Sequence, residues 1–385
     1  MLLPHIFYES RNIMNKKLLA QAIELRHTLH RHPELSMHEN QTKQILMDFL
    51  QTNSDLKIVD KGRWFYAFRH TSHNSANIAF RADMDAIPVE EAADFVVYSS
   101  QNPGASHKCG HDGHCASLAA FALKLNELRD IDKNIYLLFQ HAEETGQGAI
   151  ECVNFLEENN INEIYAFHNL PGLRFQAVAC PDGIAQFAST GMIMKFTGKK
   201  SHASYPENGI NPAFAIAEII SQIPDIARRD LYKGLVLVTI VHIHAGEKAF
   251  GVSAGYGELL LTIRGEYEEE LNLLISKLEG LAYQKATANR LSCAIEYDDA
   301  FPETKNHHSA VLKVKEAAGR LGLPFEILEE KWRASEDFGY FTKKVPGAMF
   351  YIGDGNYPAL HTTEFNFPDN IIETAVNMFS EIAKL

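Results

Sequence analysis

Apolar residues recur at helical spacing near the start of the chain. Leu18, Leu19, Ala22, Ile23, Leu25 and Leu29 mark a helix that ends before Pro33. The period then changes to short apolar runs, each followed by a polar loop. Residues 78–80 precede the stretch Arg81 to Pro88, and 135–139 precede the loop with Glu143 and Glu144. Residues 164–167 precede His168, and 348–352 precede the loop to His361. Helical patterns intervene at 115–128, 147–158, 308–321 and 370–383. Strands alternating with helices predict an α/β fold with a mostly parallel central sheet covered on both faces. Ligands of such sheets gather outside the carboxyl ends of the strands, where these runs deliver their polar side chains.

The pattern differs from about 189 to 299. Strands are predicted at 192–197, 235–243, 259–263 and 293–297, with helices at 212–223 and 268–289. That order, βαββαβ, is a ferredoxin-like unit. Polar loops of the first pattern flank it on both sides, so it interrupts the other domain. The expected organisation is a catalytic domain of 15–188 and 300–385, with a lid of 189–299. Residues 1–14 are expected to form a disordered extension, with Met14 an alternative start to Met1.

With 385 residues, two domains are the natural expectation. A net charge of -13 argues against nucleic acid and anionic membrane as partners. No apolar stretch approaches the roughly 20 residues that span a bilayer. The five cysteines are an odd number with no paired spacing, which points to a reducing compartment, the cytoplasm.

The candidate chemistry lies in Cys109 and His111, the adjacent pair Glu143 and Glu144, His168 and His361. Thiolate, imidazole and carboxylate are the ligands that zinc and similar divalent ions select. Neighbouring residues of an extended segment point to opposite sides, so one glutamate can bind metal while the other remains free for proton transfer. Each residue has an ordinary alternative, since the chain has 18 histidines and acidic pairs are commonly solvated. The joint pattern indicates an open metal site that activates water. Asp83 and Asp85, two residues apart after a strand, are candidates for orienting a ligand. Asp112 and His114 read more simply as a helix cap and a first-turn side chain. His202, in the inserted domain, is a candidate donor to a developing oxyanion. Gly251 to Gly255 matches the G-x-S-x-G nucleophile elbow, but that elbow requires a following helix, and a strand is predicted here.

These stretches resemble the dinuclear-metal aminoacylase and carboxypeptidase family, in the branch of indoleacetyl-amino acid hydrolases, hippurate hydrolases and N-acetyl-diaminopimelate deacetylases. The likeness runs through Arg26 to Leu35 with Glu39, Arg81 to Pro88, His107 to His114, Ala142 to Glu144, His168 to Pro171, Gly198 to Pro206, Ser335 to Phe338 and His361 to Phe367. It implies a zinc-peptidase-like catalytic domain with a ferredoxin-like lid that often serves dimerisation. It also implies two divalent ions, zinc or manganese with cobalt as an alternative, held by Cys109, His111, Glu144, His168 and His361. Glu143 is then the general base, Asp85 the orienting aspartate and His202 the lid histidine. The implied reaction is hydrolysis of the amide bond of an N-acyl-amino acid, with a carboxypeptidase or dipeptidase as the alternative. A non-catalytic binding module on the same scaffold is the reading from another class. Departures fall where substrate is held: Gly251 and Ala254 replace the usual Asn and Pro of a lid loop, His141 stands for Pro, and Lys108 for a small residue. Arg264, on a lid strand, is either an anchor for the substrate carboxylate or a solvated charge.

Overall fold

The computed structural model describes residues 14–71, 76–328 and 331–385. All of the expected extension except Met14 lies outside them. Met14 itself is buried, and its N–H donates to Glu373 Oε1 at 2.8 Å. The chain divides into two compact units, the first ending at Ala185 and resuming over Lys305–Lys331 and Asp337–Leu385. The second is Gln186–Thr304 with a short return at Trp332–Glu336.

The first unit is built on an eight-stranded sheet of described residues. Its four central strands, Asn134–Gln140, Asn77–Asp83, Glu163–Pro171 and Gly347–Gly355, run parallel. Strands Phe65–Arg69 and Lys57–Asp60 extend one edge antiparallel. Alternation along each central strand builds two cores. Ile78, Phe80, Ile135, Leu137, Tyr165, Phe167, Phe350 and Ile352 face one core. Ala79, Tyr136, Leu138, Ile164, Ala166 and Met349 face the other. The first core is closed by helices Lys16–Arg31, Asn40–Asn53, His111–Leu125, His308–Arg320 and Ile372–Lys384. Helix His111–Leu125 is buried along its whole length, consistent with its run of small and apolar residues. The second core is closed by the short helices Gly148–Cys152, Asn154–Glu158 and Gly339–Thr342. The result is a sheet between two helical layers, as the strand–helix alternation predicts.

The second unit is an antiparallel sheet of four strands in the order Ser292–Phe301, Ala188–Thr197, Tyr256–Gly265, Val236–Ala245. Helices Ala213–Ile226 and Glu268–Ala288 cover one face and bury Ile216, Ile219, Leu274 and Leu278 against Met192, Met194, Leu259 and Leu261. Numbered in chain order, the strands run 4-1-3-2, the ferredoxin-like arrangement. No helix among the described residues is long and apolar enough to cross a membrane.

Candidate metal centre

Each parallel strand delivers a polar side chain near its carboxyl end. Strand Asn77–Asp83 leads to Asp85, and Asn134–Gln140 leads to Glu143 and Glu144. His168 lies near the end of Glu163–Pro171, and His361 lies beyond Gly347–Gly355. Cys109 and His111 flank the start of the buried helix, whose cap is Gly110 at φ 103°. A side chain cannot replace that glycine: its Cβ would lie 2.4 Å from Asn169 Oδ1, besides the unfavourable left-handed backbone. The turn of the glutamate pair closes as tightly. The N–H of Gly148 donates to the carbonyl of Ala142 at 3.0 Å, and a Cβ at Gly148 would lie 1.6 Å from the carbonyl oxygen of His141. Ala142 takes a left-handed φ of 48°, and its N–H donates to the buried carboxylate of Glu39 at 2.7 Å. This sharp bend aims Glu143 and Glu144.

The six expected side chains converge. Cys109 Sγ lies 3.5 Å from His168 Nε2. Glu144 Oε1 lies 3.6 Å from His111 Nε2 and 3.5 Å from His361 Nε2. Glu143 Oε2 lies 3.9 Å from His111 Nε2. Two three-membered groups have donor atoms within 4.8 Å of one another, Cys109–His111–His168 and Cys109–Glu144–His361, with Cys109 in both. Either group can hold a cation. Three further groups lack Cys109: His111–Glu143–Glu144, Glu143–Glu336–Asp337 and Asp83–His111–His114, in the last of which Asp83 already bonds to His114 Nδ1 at 2.7 Å and accepts from Arg81 at 2.7 Å.

Orphaned atoms test the fit to metal. His111 Nε2 and Glu144 Oε1 are buried with no hydrogen-bond partner, a costly arrangement unless something else satisfies them. Burial alone would lower the pKa of His111, but Asp83, Asp85 and Glu144 outweigh it and push it up to about 10. The anions therefore demand a positive charge at that place. Burial, with Glu144 and Glu143, drives the Cys109 thiol well above its ordinary value. Burial and the neighbouring His114 hold His168 well below its own, which keeps its imidazole neutral. A thiol that ionises only beside a cation, a neutral imidazole and an unpaired carboxylate oxygen fit a divalent ion.

Asp85 ties the two sides of this cluster together. Its Oδ1 lies 3.2 Å from His111 Nδ1, and its Oδ2 accepts the Glu144 N–H at 2.9 Å and the Ser36 hydroxyl at 2.7 Å. Burial would raise its pKa, but the bond to His111 and the charge there lower it, so the carboxylate stays ionised. Nδ1 of His111 also faces the Asp85 carbonyl at 2.9 Å, which fixes the ring with Nε2 towards the cluster. Asp83 belongs instead to a buried chain, Asp83–Arg81–Asp337, in which Arg81 Nη2 donates to Asp337 at 2.9 Å.

The candidates of the second unit have local partners. His202 is exposed, and its Nδ1 accepts the N–H of Ser204 at 3.1 Å. Arg264 is half-buried and donates to Ser335 Oγ at 2.7 Å and to the carbonyl of Arg333 at 3.1 Å. Ser253, the serine of the G-x-S-x-G match, lies between strands Val236–Ala245 and Tyr256–Gly265 with no helix after it. Its hydroxyl is 2.8 Å from Ser201 Oγ.

Gly110 rather than Asp112 caps the helix, and His114 does lie in its first turn, but both side chains are also held in a buried network. Asp112 is buried, 3.2 Å from Arg26 Nη1 and 2.8 Å from His30 Nδ1. His114 is buried between Asp83 and Asn169 Oδ1 at 2.8 Å. One signal for this network was present in the sequence. Arg26 and His30 fall on the apolar stripe of the first helix beside Ala22, Leu25 and Leu29, and a charged residue at such a position requires a buried partner.

The sequence pattern of Peptidase family M20/M25/M40 matches residues 79–385. The chain belongs to that family. An uncharacterized hydrolase of Staphylococcus haemolyticus is 29% identical over 374 residues, covering 93% of this chain and 96% of the relative. N-acetylcysteine deacetylase of Bacillus subtilis is 26% identical over 383 residues, covering 96% and 97%. A dinuclear metal binding M20 peptidase of Bacillus subtilis has the same fold, with TM-score 0.82, 25% identity and 96% and 98% of the two chains covered. As an M20/M25/M40 member, the chain is a hydrolase of the metal-dependent amidohydrolase and metallopeptidase kind, in agreement with the resemblance noted in the sequence.

Proposed function

We propose that the enzyme hydrolyses the amide bond of N-acyl-amino acids with two divalent ions bound at the Cys109 cluster. The observation that carries this reading is the pair of donor groups sharing Cys109, beside the buried carboxylate of Glu143. A thiolate has lone pairs for two cations, so Cys109 would serve both positions, with His111 and His168 as the other holders of one ion and Glu144 and His361 as those of the second. The dinuclear relative in Bacillus subtilis supports the count of two. Ions held there supply Lewis-acid polarisation of the scissile carbonyl and a lowered pKa for water. Zinc and manganese suit this mixed donor set, and cobalt is an alternative.

The protein's own groups do the proton work. Glu143, which belongs to neither donor group that contains Cys109, takes a proton from the attacking water and passes it to the leaving amine. Asp85 holds His111 in the tautomer that presents Nε2 and holds the Glu144 backbone in place. His202 is assigned the role of donor to the tetrahedral oxyanion.

Amide deacylation, rather than peptide cleavage, is favoured by the deacetylase among the relatives. The test is a panel of N-acyl-amino acids against dipeptides and carboxypeptidase substrates, with the enzyme reconstituted with zinc or manganese. Turnover of acylated amino acids that a chelator abolishes is expected. Turnover of dipeptides alone would favour the dipeptidase reading, and chelator-resistant turnover would remove the metals. In the same assay His202→Ala is expected to lower kcat by about 100-fold or more; an unchanged kcat removes His202. The partners are small molecules. The five free thiols support a cytoplasmic location, tested by cell fractionation. The lid also supports a homodimer, because its edge strand Val236–Ala245 exposes Ile240, Val241 and Ile243.

A further inference from the structure

Lys108, immediately before Cys109, is completely buried, and both its ends are engaged. Its Nζ pairs with Glu91, donates to the carbonyl of Phe365 at 2.9 Å and lies 4.1 Å above the Phe95 ring. Its backbone carbonyl accepts the N–H of His361 at 2.8 Å. One residue therefore grips both ends of the segment 361–365.

That segment needs holding. His361 takes a left-handed φ of 62°, and its side chain is 52% exposed, unlike the buried Cys109, His111 and His168. Such a backbone persists in a non-glycine residue only when its surroundings impose it. Asp85 fixes His111, and a strand fixes His168, but His361 has the Lys108 contacts. The anchoring continues inward. Glu91 also faces His30 Nε2 at 3.1 Å and accepts the Ser100 N–H at 2.7 Å. His30 meets Asp112, and Arg26 donates to Asn366 Oδ1 at 3.1 Å. A continuous line of buried charge thus links the first helix, the Cys109 loop and the His361 segment. Buried ion pairs contribute little net stability compared with apolar packing, so the geometry that this line imposes is the more telling property.

We propose that Lys108 is a positioning residue for His361, and that its ammonium controls the affinity of one of the two metal positions while leaving the other unchanged. This rests on the two-metal reading above. The test is calorimetric titration of metal-free protein with Mn2+. Wild type is expected to take up two equivalents, and His361→Ala to lose one. Lys108→Met is expected to weaken that same equivalent by about 10–100-fold, the usual effect of removing a group that orients a ligand. Combining Lys108→Met with His361→Ala should titrate like His361→Ala alone, because a residue acting through His361 has nothing further to remove. The double variant Lys108→Met/Glu91→Gln leaves no unpaired buried carboxylate and guards against a folding defect, with thermal melting as the check. Two equivalents at wild-type affinity in both Lys108 variants would overturn the inference alone, as would equal weakening of both equivalents. Fewer than two equivalents in wild type would overturn the metal reading and this inference with it.

Discussion

Glu143 and Glu144 are chemically identical neighbours, and the bend at Ala142 gives them different surroundings. Glu144 Oε1 is buried 3.6 Å from His111 Nε2 and 3.5 Å from His361 Nε2, whereas Glu143 Oε2 lies 3.9 Å from His111 Nε2 and belongs to neither donor group that contains Cys109. The proposed division of labour therefore follows from geometry. Glu143→Gln is expected to keep both ions and lose activity by about 100-fold or more, the scale of general-base loss. Turnover within a few-fold of wild type would remove Glu143 from the reaction. Asp85 contacts His111 and the Glu144 backbone, so in the proposed role Asp85→Asn is expected to weaken metal binding by about 10–100-fold. A metal titration indistinguishable from wild type would show that His111 holds its orientation without it.

The first helix looks like an ordinary amphipathic element, but it carries the buried charges that reach the loops of the proposed metal centre. Burial would raise the pKa of Glu91, but His30 and Lys108 reverse this and hold it down to about 2. Asp112 is likewise held well below its ordinary value: burial opposes, and Arg26 and His30 prevail. The sign follows from proton uptake. In acid the unfolded chain binds protons that the folded chain refuses, so the stability from Glu91 is complete above about pH 4.5 and is lost as pH falls towards 2. Melting temperatures of metal-free protein should fall over that range, and Glu91→Gln should flatten the fall. Parallel curves for the two proteins would contradict this. Individual elements were legible in the sequence because their period is local. The apolar runs at 78–80, 135–139, 164–167 and 348–352 are the central strands, and the βαββαβ order of the second unit follows its hydrophobic pattern. Glu143, Glu144, His168 and His361 were legible because each follows such a run, and Cys109 and His111 because they precede a helical pattern. Asp112 and His114 were not, since pairs such as Arg26–Asp112 and His114–Asn169 join distant segments and leave no periodic trace.

At the scale of the whole molecule, the parallel sheet assembles one end of the catalytic unit from segments far apart in the chain, with the second unit inserted between them. That insertion carries an edge strand, Val236–Ala245, which pairs with a strand on one side only among the described residues and exposes apolar side chains. An edge of this kind is a template for pairing with another chain, and an introduced charge blunts it. The proposed dimer is therefore expected to dissociate when Val241→Lys is introduced, as seen by light scattering after size exclusion. A wild-type protein that is monomeric at micromolar concentration would contradict it.

Cys109 is the residue on which both proposed metal positions depend, so the most direct test is the metal content of Cys109→Ala after reconstitution, measured by elemental analysis beside wild type. Two ions per chain are expected in wild type and fewer than one in the variant, because a methyl group donates to neither position. Two ions per chain in Cys109→Ala would show that the cluster is not built around this thiolate and would contradict the account.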